Sequence, residues 1–348
     1  SLATFQTIAC GIDVYRGEIS AEKSPLSYAL FVSFFPQLVA GPIERAGNLL
    51  GQLKEKHTMR GENLLNGFWL MLRGFYKKVV VADYLAVYVD KVYAAPQDAG
   101  GIGAVLGTAF FAVQIYCDFS GYTDIARGAA RMMGIRLMEN FRHPYRAVSI
   151  QDFWKRWHIS LTCWFTDYVY IPLGGNRKGT IILVRNIFIV WALTGIWHGA
   201  NWTFVIWGLM FGIMLIIEKL FLTKHLEKMP SILQRIYVLF TVMISFIIFN
   251  ANSIGEAWNN IIGLFGANGE SLINASTVYY LKSYLVVLVI AIIGSTPLLK
   301  NIIEKLKTKT NANKIINLLE PIAMASILII VTAYLVDNSY NPFLYFRF

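Results

Sequence analysis

Long apolar runs without a charged residue alternate along the chain with short polar segments. A helix needs about 20 mostly apolar residues to cross the hydrocarbon core of a membrane, and these runs approach that length once their flanks are included. The alternating pattern of a transmembrane β-barrel is not seen in them. The pattern therefore predicts membrane-spanning helices. The charge-free runs cover residues 24–43, 200–217, 236–255, 283–299 and 321–336.

The chain as a whole divides into helical segments joined by short polar or basic loops, with no internal repeat and no linker between soluble domains. We predict one all-α domain over residues 1–348, a polytopic membrane protein with about eight to nine membrane-embedded helices and further interfacial helices. Residues 122–137 are predicted as a short basic helix, 149–170 as an amphipathic helix rich in tryptophan, and 253–266 as an interfacial helix. The other predicted helices cover residues 24–43, 62–93, 101–120, 180–198, 201–222, 232–250, 276–299 and 316–336.

Composition and charge support a membrane protein. Hydrophobic residues make up 56% and charged residues 15% of the 348 positions, whereas soluble domains carry about a quarter charged residues. A net charge of +10 could indicate nucleic acid in a soluble protein. Here the basic residues lie between apolar runs, so we expect a lipid bilayer and no nucleic acid as partner. Basic loops face the cytoplasm, which places 223–235 and 300–314 there, where they could also contact anionic lipids.

The first residues, SLATFQTIACGIDVYRG, begin without Met and lack the basic and apolar regions of a signal peptide. Their composition is typical of the last turns of a helix that began earlier in the sequence. We therefore expect this chain to be an N-terminally truncated fragment that lacks upstream transmembrane helices.

One histidine lies within the apolar stretch VWALTGIWHGANWTFVIWG (190–208). A polar ring in hydrocarbon is costly unless it is paired or used. Gly195 and Gly199 flank His198 and let a backbone or a substrate approach closely, while Asn201 offers a partner that could orient the ring. A neutral imidazole in water-poor surroundings suits a general base. The tryptophans around it are Trp191, Trp197, Trp202 and Trp207.

A second histidine lies in SIQDFWKRWHISLTCWFTDYVYIPLGG (149–175). At helical spacing Trp154, His158, Leu161 and Phe165 share one face, so His158 points into an aromatic surface. A core histidine bonded to a backbone carbonyl is the simpler interpretation. Inside a membrane, however, a buried ionisable residue more often has a function. The remaining histidines, His57, His143 and His225, are interpreted as solvated or as helix-end residues.

The motif DFSGYTD (118–124) places Asp118 and Ser120 at the end of a predicted membrane segment. Carboxylates there need partners. Two interpretations stay open, namely pairing of the acidic residues with Arg127 or Arg131, and a role in shaping a substrate tunnel.

Other chemistries find little support in the sequence. No HxxxH or HxxE spacing accompanies His198, and no GxSxG is present, which argues against a metal site and a serine hydrolase. The three cysteines, Cys10, Cys117 and Cys163, form no CxxC pair and are expected to be free, buried thiols.

Several ordered stretches resemble the signature sequences of the membrane-bound O-acyltransferase family. The similarity is closest to the bacterial branch that contains alginate O-acetyltransferase and the D-alanyl transferase of teichoic acid modification. Cys117 departs from the branch, where an aromatic residue is usual. The stretches are FFPQLVAGPIER (34–45), QIYCDFSGYTDIARGAARMMGI (114–135), NFRHPYRAVSIQDFWKRWHISLTCWFTDYVYIPLGGNR (140–177), LTGIWHGANWTFVIWG (193–208) and the ending NSYNPFLYFRF (338–348).

The resemblance implies a membrane enzyme that passes an acyl group from a cytoplasmic thioester, acetyl-CoA or an acyl-carrier protein, to an acceptor hydroxyl, with no tightly bound cofactor and no metal. It implies that His198 is the general base and that His158 orients the thioester or stabilises the oxyanion. The further tunnel candidates are Asp118, Ser120, Trp154, Trp157, Asn201 and Trp202. The candidate carrier contacts are Lys155, Arg156, Arg177 and Lys178.

The function expected from this resemblance is O-acetylation of an exported or cell-envelope polysaccharide. The enzyme would lie in the bacterial inner membrane and work with an extracytoplasmic acceptor protein or polysaccharide. D-alanyl transfer from a carrier protein to a teichoic-acid-type acceptor stays open. So do a transporter or flippase without bond chemistry, for which repeats would be usual, and a structural subunit of an envelope complex.

Overall fold

The computed structural model describes residues 2–95, 100–266, 272–308 and 310–337. Within these ranges the chain forms helices joined by turns and contains no strand, which confirms the predicted all-α class. The ending 338–348, part of the family resemblance, lies outside the described residues. The helices are α1 (Leu2–Tyr15), α2 (Pro25–Ser33), α3 (Ala46–Lys54), α4 (Gly61–Phe75), α5 (Asp83–Ala94), α6 (Gly100–Met132), α7 (Ile150–Trp154), α8 (Ile159–Phe165), α9 (Thr180–His198), α10 (Trp202–Ile217), α11 (Thr223–Leu226), α12 (Ser231–Asn250), α13 (Ile254–Gly263), α14 (Ala275–Gly294), α15 (Leu298–Lys307) and α16 (Thr310–Asp337).

Six helices among the described residues are long and apolar enough to cross a membrane. The predicted total of eight to nine embedded helices therefore stays a prediction. Three π-helical turns, Tyr76–Ala82, Thr166–Tyr170 and Glu218–Leu222, extend α4, α8 and α10. The six candidate spans are Gly100–Met132, Thr180–His198, Trp202–Leu226, Ser231–Asn250, Ala275–Gly294 and Asn313–Asp337.

The helix predicted over residues 24–43 is shorter than expected, because α2 begins at Pro25 and already ends at Ser33. Pro36 disfavours helical backbone at the residue before it. The buried Gln37 side chain donates to the carbonyl of Phe31 at 2.9 Å and satisfies one of the helix-end acceptors. Residues 34–45 consequently form turns and extended chain against the helices.

Three other predicted boundaries also need correction. The segments 101–120 and 122–137 belong largely to one 33-residue helix, α6, which ends at Met132. The helix predicted over 149–170 is interrupted between α7 and α8. Residues 300–314, predicted as a basic loop, include most of α15.

The helices α4 and α6 cross with their backbones in contact. A Cβ atom added to Gly74 would lie 2.5 Å from the carbonyl oxygen of Gly121, and one added to Gly67 would lie 2.7 Å from that of Gly128. Seven residues separate the two glycines on each helix, so the contacts repeat after two turns. This close approach lets side chains that follow α4 reach the buried face of α6.

The helices α9 and α10 pack in the same way. A Cβ atom on Gly195 would lie 2.5 Å from the carbonyl oxygen of Phe204. The sequence prediction that small residues beside His198 admit another backbone is confirmed at Gly195.

We predict that Gly74→Ala destabilises the protein by about 1–3 kcal/mol, because the added methyl group overpacks a backbone contact. The measurement is the free energy of unfolding of the purified protein in detergent. Gly11→Ala is the matched control, since Gly11 lies within α1 with open space around it and alanine favours a helix. Equal stability of the two variants would contradict the tight crossing.

Candidate functional site

His158 and His198 line one small cavity of about 50 Å³. The break between α7 and α8 places His158 there, and the end of α9 places His198. Aromatic and apolar side chains from α6, α10 and α12 form most of the remaining wall. The lining residues are Ile115, Asp118, Phe119, Trp154, Trp157, His158, Leu161, His198, Trp207, Phe246 and Phe249.

The His158 ring has a defined tautomer. The oxygen Oδ1 of Asn140 accepts the backbone N–H of Ser160 at 3.0 Å and lies 3.3 Å from Nδ1 of His158. A backbone N–H can only donate, so the Asn140 atom is an acceptor and Nδ1 of His158 is the donor. Nε2 of His158 therefore carries the lone pair. Burial, together with the nearby His198, lowers the pKa of His158 and keeps the ring neutral.

The backbone at His158 is strained. Its φ of +45° lies in the left-handed region, which is uncommon outside glycine. Backbone bonds hold it there, because Ile159 donates to the carbonyl of Asn140 at 3.0 Å and Arg142 donates to that of Arg156 at 2.9 Å. These bonds explain why the predicted continuous helix 149–170 breaks at this point. Trp154, His158 and Leu161 still line one cavity, although continuous helical spacing does not place them there.

His198 lies among aromatic rings at the end of α9. Its ring centroid is 5.0 Å from that of Trp207 and 5.1 Å from that of Phe249. Asn201 does not orient it, which corrects the sequence prediction. The Asn201 side chain instead caps α10 by accepting from Thr203 and donates to the carbonyl of Asn252. Trp202, another predicted tunnel residue, is 71% exposed and lies outside the cavity lining.

Three buried polar atoms on the cavity residues have no hydrogen-bond partner among the described residues. They are Nε2 of His158 and the indole Nε1 atoms of Trp154 and Trp207. Unsatisfied buried polar atoms are rare in native proteins and call for an explanation. The cavity thus offers one acceptor and two donors to a bound molecule.

A larger cavity of about 350 Å³ adjoins the first and shares Trp154 and Leu161 with it. Its lining includes the exposed Lys155 and Lys219 and the buried Glu218. The carboxylate of Glu218 accepts the backbone N–H groups of Ile150 at 2.6 Å and Gln151 at 3.0 Å. This contact secures the start of α7 beside the cavity.

Only one of the four predicted carrier contacts lines this cavity. Lys155 does, whereas Arg156 forms an ion pair with Asp152 at 2.8 Å. Arg177 and Lys178 lie on an exposed turn and are not among the lining residues. Lys219, which was not predicted from the sequence, lines the cavity instead.

Asp118 and Ser120, the two polar residues of α6 that were predicted to line a tunnel, line different cavities. Asp118 lines the histidine cavity and pairs with Lys78 at 2.8 Å, and Lys78 also pairs with Asp83 at 2.8 Å. Ser120 lines a separate polar cavity, where it accepts from Lys77 at 3.2 Å. Ser120 is therefore not part of the histidine site.

Asp124 pairs with three cations. The pairs involve Arg73 at 3.1 Å, Lys77 at 2.7 Å and Arg127 at 3.6 Å. The predicted pairing with Arg127 is thus present.

No group of three His, Cys, Asp or Glu side chains within the described ranges could hold a metal ion. The cysteines are free in the structure. Cys10 and Cys117 are buried as predicted, whereas Cys163 is exposed.

A sequence model described as MBOAT, membrane-bound O-acyltransferase family, matches residues 16–255 of this chain. The chain belongs to the membrane-bound O-acyltransferase family. Its helices and its membership of this family make it a multi-pass membrane protein, and the resemblance inferred from the sequence is confirmed.

Curated relatives extend the comparison. The chain is 41% identical over 266 residues to "Probable alginate O-acetylase AlgI" of Azotobacter vinelandii, covering 76% of this chain and 53% of that protein. It is 37% identical over 365 residues to the protein of the same name in Pseudomonas putida, covering 100% and 74%. It is 40% identical over 256 residues to "Peptidoglycan O-acetyltransferase" of Helicobacter pylori, covering 72% and 49%. The chain thus spans about half the length of two of these relatives.

We predict that Lys78→Met destabilises the protein by about 3–5 kcal/mol, because it removes the ammonium group shared by the buried Asp118 and the half-buried Asp83. Denaturant titration of the purified protein measures the change. Lys178→Met is the control, since Lys178 is exposed and its loss should leave stability within about 0.5 kcal/mol. A loss of similar size in both variants would contradict a structural role for Lys78.

Proposed function

We propose that this protein transfers an acyl group, in the first instance acetyl, from a cytoplasmic thioester to a hydroxyl of an exported or cell-envelope polysaccharide or of an extracytoplasmic acceptor protein. The observation that carries the proposal is the sharing of one small apolar cavity by two imidazoles, next to a larger cavity that a donor could occupy. The names of the relatives favour acetyl as the group. For a multi-pass membrane protein, we propose the bacterial inner membrane as the location.

The larger cavity suits the thioester donor. Lys155 and Lys219 supply positive charge on its lining, and both acetyl-CoA and the phosphopantetheine of an acyl-carrier protein are anionic. Trp154 and Leu161 belong to both cavities. A thioester that passes these two side chains would bring its carbonyl carbon to the histidines.

The reaction needs no redox partner. The acceptor hydroxyl gives its proton to the general base, its oxygen bonds to the thioester carbonyl carbon, the carbon–sulfur bond breaks, and the thiolate leaves and takes up a proton. A positioned base contributes about 10²–10⁴-fold to such a step. We assign this role to His198, whose ring lines the small apolar cavity and lies 5.0 Å from that of Trp207.

The tautomer of His158 limits the roles that this residue can have in acyl transfer. Its cavity nitrogen, Nε2, is an acceptor, so it suits holding the acceptor hydroxyl and does not suit donating to an oxyanion. The indole N–H groups of Trp154 and Trp207 are the buried donors available for the oxyanion. His158 is therefore proposed as a group that orients the hydroxyl, rather than as an oxyanion donor.

The apolar wall of the histidine cavity would keep water away from the thioester. Water that reached the thioester would hydrolyse it, so a cavity lined mainly by aromatic side chains protects the donor until the acceptor arrives. Burial behind the same wall lowers the pKa of His158 and leaves its ring neutral.

We predict that His198→Gln lowers the rate of transfer from radiolabelled acetyl-CoA to the acceptor about 10²–10⁴-fold, and that His158→Gln lowers it by a smaller factor. The assay uses the full-length protein in membranes with its acceptor present. His225→Gln is the control, because His225 is exposed on α11, and it should keep the wild-type rate.

Unchanged transfer in His198→Gln would remove that residue from the mechanism. Transfer from a D-alanyl carrier protein but not from acetyl-CoA would assign the D-alanyl alternative. Movement of cargo without any new acyl bond would favour the transporter alternative and contradict an acyltransferase.

A further inference from the structure

A third cavity, of about 100 Å³, lies between α4, α6 and the C-terminal end of α14. It is separate from the two cavities assigned to the reaction, and charged side chains dominate its wall. Those of Arg73, Lys77 and Arg127 are positive, and those of Asp124 and Glu139 are negative.

The charges in this cavity do not balance. The carboxylate of Asp124 accepts from Nε and Nη2 of Arg73 at 3.1 Å each and from Lys77 at 2.7 Å. Arg127 lies 3.6 Å from the same carboxylate. Glu139 is engaged by Arg142 at 3.0 Å. The wall therefore carries three cations, Arg73, Lys77 and Arg127, against two carboxylates, Asp124 and Glu139, which leaves one positive charge in excess.

The cavity also holds a donor without an acceptor. Nε of Arg127 is buried and bonds to no described residue. Asp124 would be satisfied by the bidentate contact with Arg73 alone, so neutralising Asp124 does not account for Lys77 and Arg127. Surplus positive charge in a buried place is costly unless an anion joins it.

The cavity is open to an anion from outside. The side chain of Arg73 is 57% exposed, whereas those of Lys77 and Arg127 are 19% and 22% exposed. Gly294 at the end of α14 forms part of the wall, and the basic helix α15 follows it, in a region predicted to face the cytoplasm. Guanidinium and ammonium groups together match the oxygens of a phosphate.

We propose that Arg73, Lys77 and Arg127 bind a phosphate group in this cavity. The phosphate could belong to the headgroup of an anionic phospholipid or be free in the cytoplasm, and the chemistry of recognition is the same. The site does not depend on the acyl transfer proposed above.

The test measures the thermal unfolding of the full-length protein in phosphatidylcholine nanodiscs. One arm adds inorganic phosphate, with sodium chloride at equal ionic strength as the reference. The other arm replaces part of the lipid with phosphatidylglycerol. We expect at least one arm to raise the Tm by several degrees, because a ligand that binds only the folded protein stabilises it. A rise with phosphate alone assigns a free phosphate, and a rise with phosphatidylglycerol, with or without one from phosphate, assigns the lipid headgroup.

The variants Arg127→Gln and Arg73→Gln should each lose most of this rise. Either change leaves Asp124 with two of its cations, so both variants are expected to fold, and unfolding without the probe checks this. Arg177→Gln is the matched control, since Arg177 is exposed on a turn and does not line the cavity, and it should keep the full rise. The proposal is overturned if neither probe raises the Tm of the wild-type protein, or if both cavity variants keep the rise.

Discussion

The backbone contact between α4 and α6 determines which charged side chains pair between these two helices. Because Gly74 and Gly121 bring the two helices together, the lysines that follow α4 reach buried carboxylates on α6. Lys77 and Lys78 are neighbours in sequence, but they serve Asp124 and Asp118 respectively, and the π-helical turn Tyr76–Ala82 holds both on the side of α6. A buried carboxylate without such a partner would be costly, so the glycines and the ion pairs depend on one another. The wall that carries Asp118 is thereby fixed beside the histidines.

The polar atoms left without partners are as informative as the pairs. Around the histidine cavity they are one imidazole nitrogen and two indole N–H groups, and around the basic cavity one guanidinium nitrogen. Similar unpartnered atoms occur elsewhere in the described interior, for example on Gln6 and Asn260. At the two cavities, however, a substrate or an anion could supply the missing partner. Asn140 fixes the orientation of His158, because its Oδ1 atom accepts from Nδ1 and leaves Nε2 for the cavity.

The sequence predicts the parts of the molecule that follow from local pattern. Apolar runs predict α9, α10, α12, α14 and α16. His198 is recognised as a candidate because it is a titratable residue within such a run. The prediction from hydropathy fails after Ser33, where Pro36 and Gln37 end a helix that the apolar run alone would continue. It also fails where residues distant in sequence decide. The break at His158 depends on backbone bonds to residues 140–142, and no periodicity in 149–170 reveals it. The sequence does not predict the roles of Asn140, Lys78 and Lys219. Each role depends on a side chain that only folding brings beside the residue. Asn201 and Trp202 were chosen for closeness in sequence to His198, but α10 directs them elsewhere.

We infer that a thioester donor lies in the larger cavity and reaches the histidines past Trp154. Cryo-electron microscopy of the full-length protein with a non-hydrolysable acetyl-CoA analogue would locate the donor. We expect density for the pantetheine arm between Lys155, Lys219 and Trp154, with the acyl end beside His158 and His198. Density for the analogue in another place, with both cavities empty, would rule out this donor site.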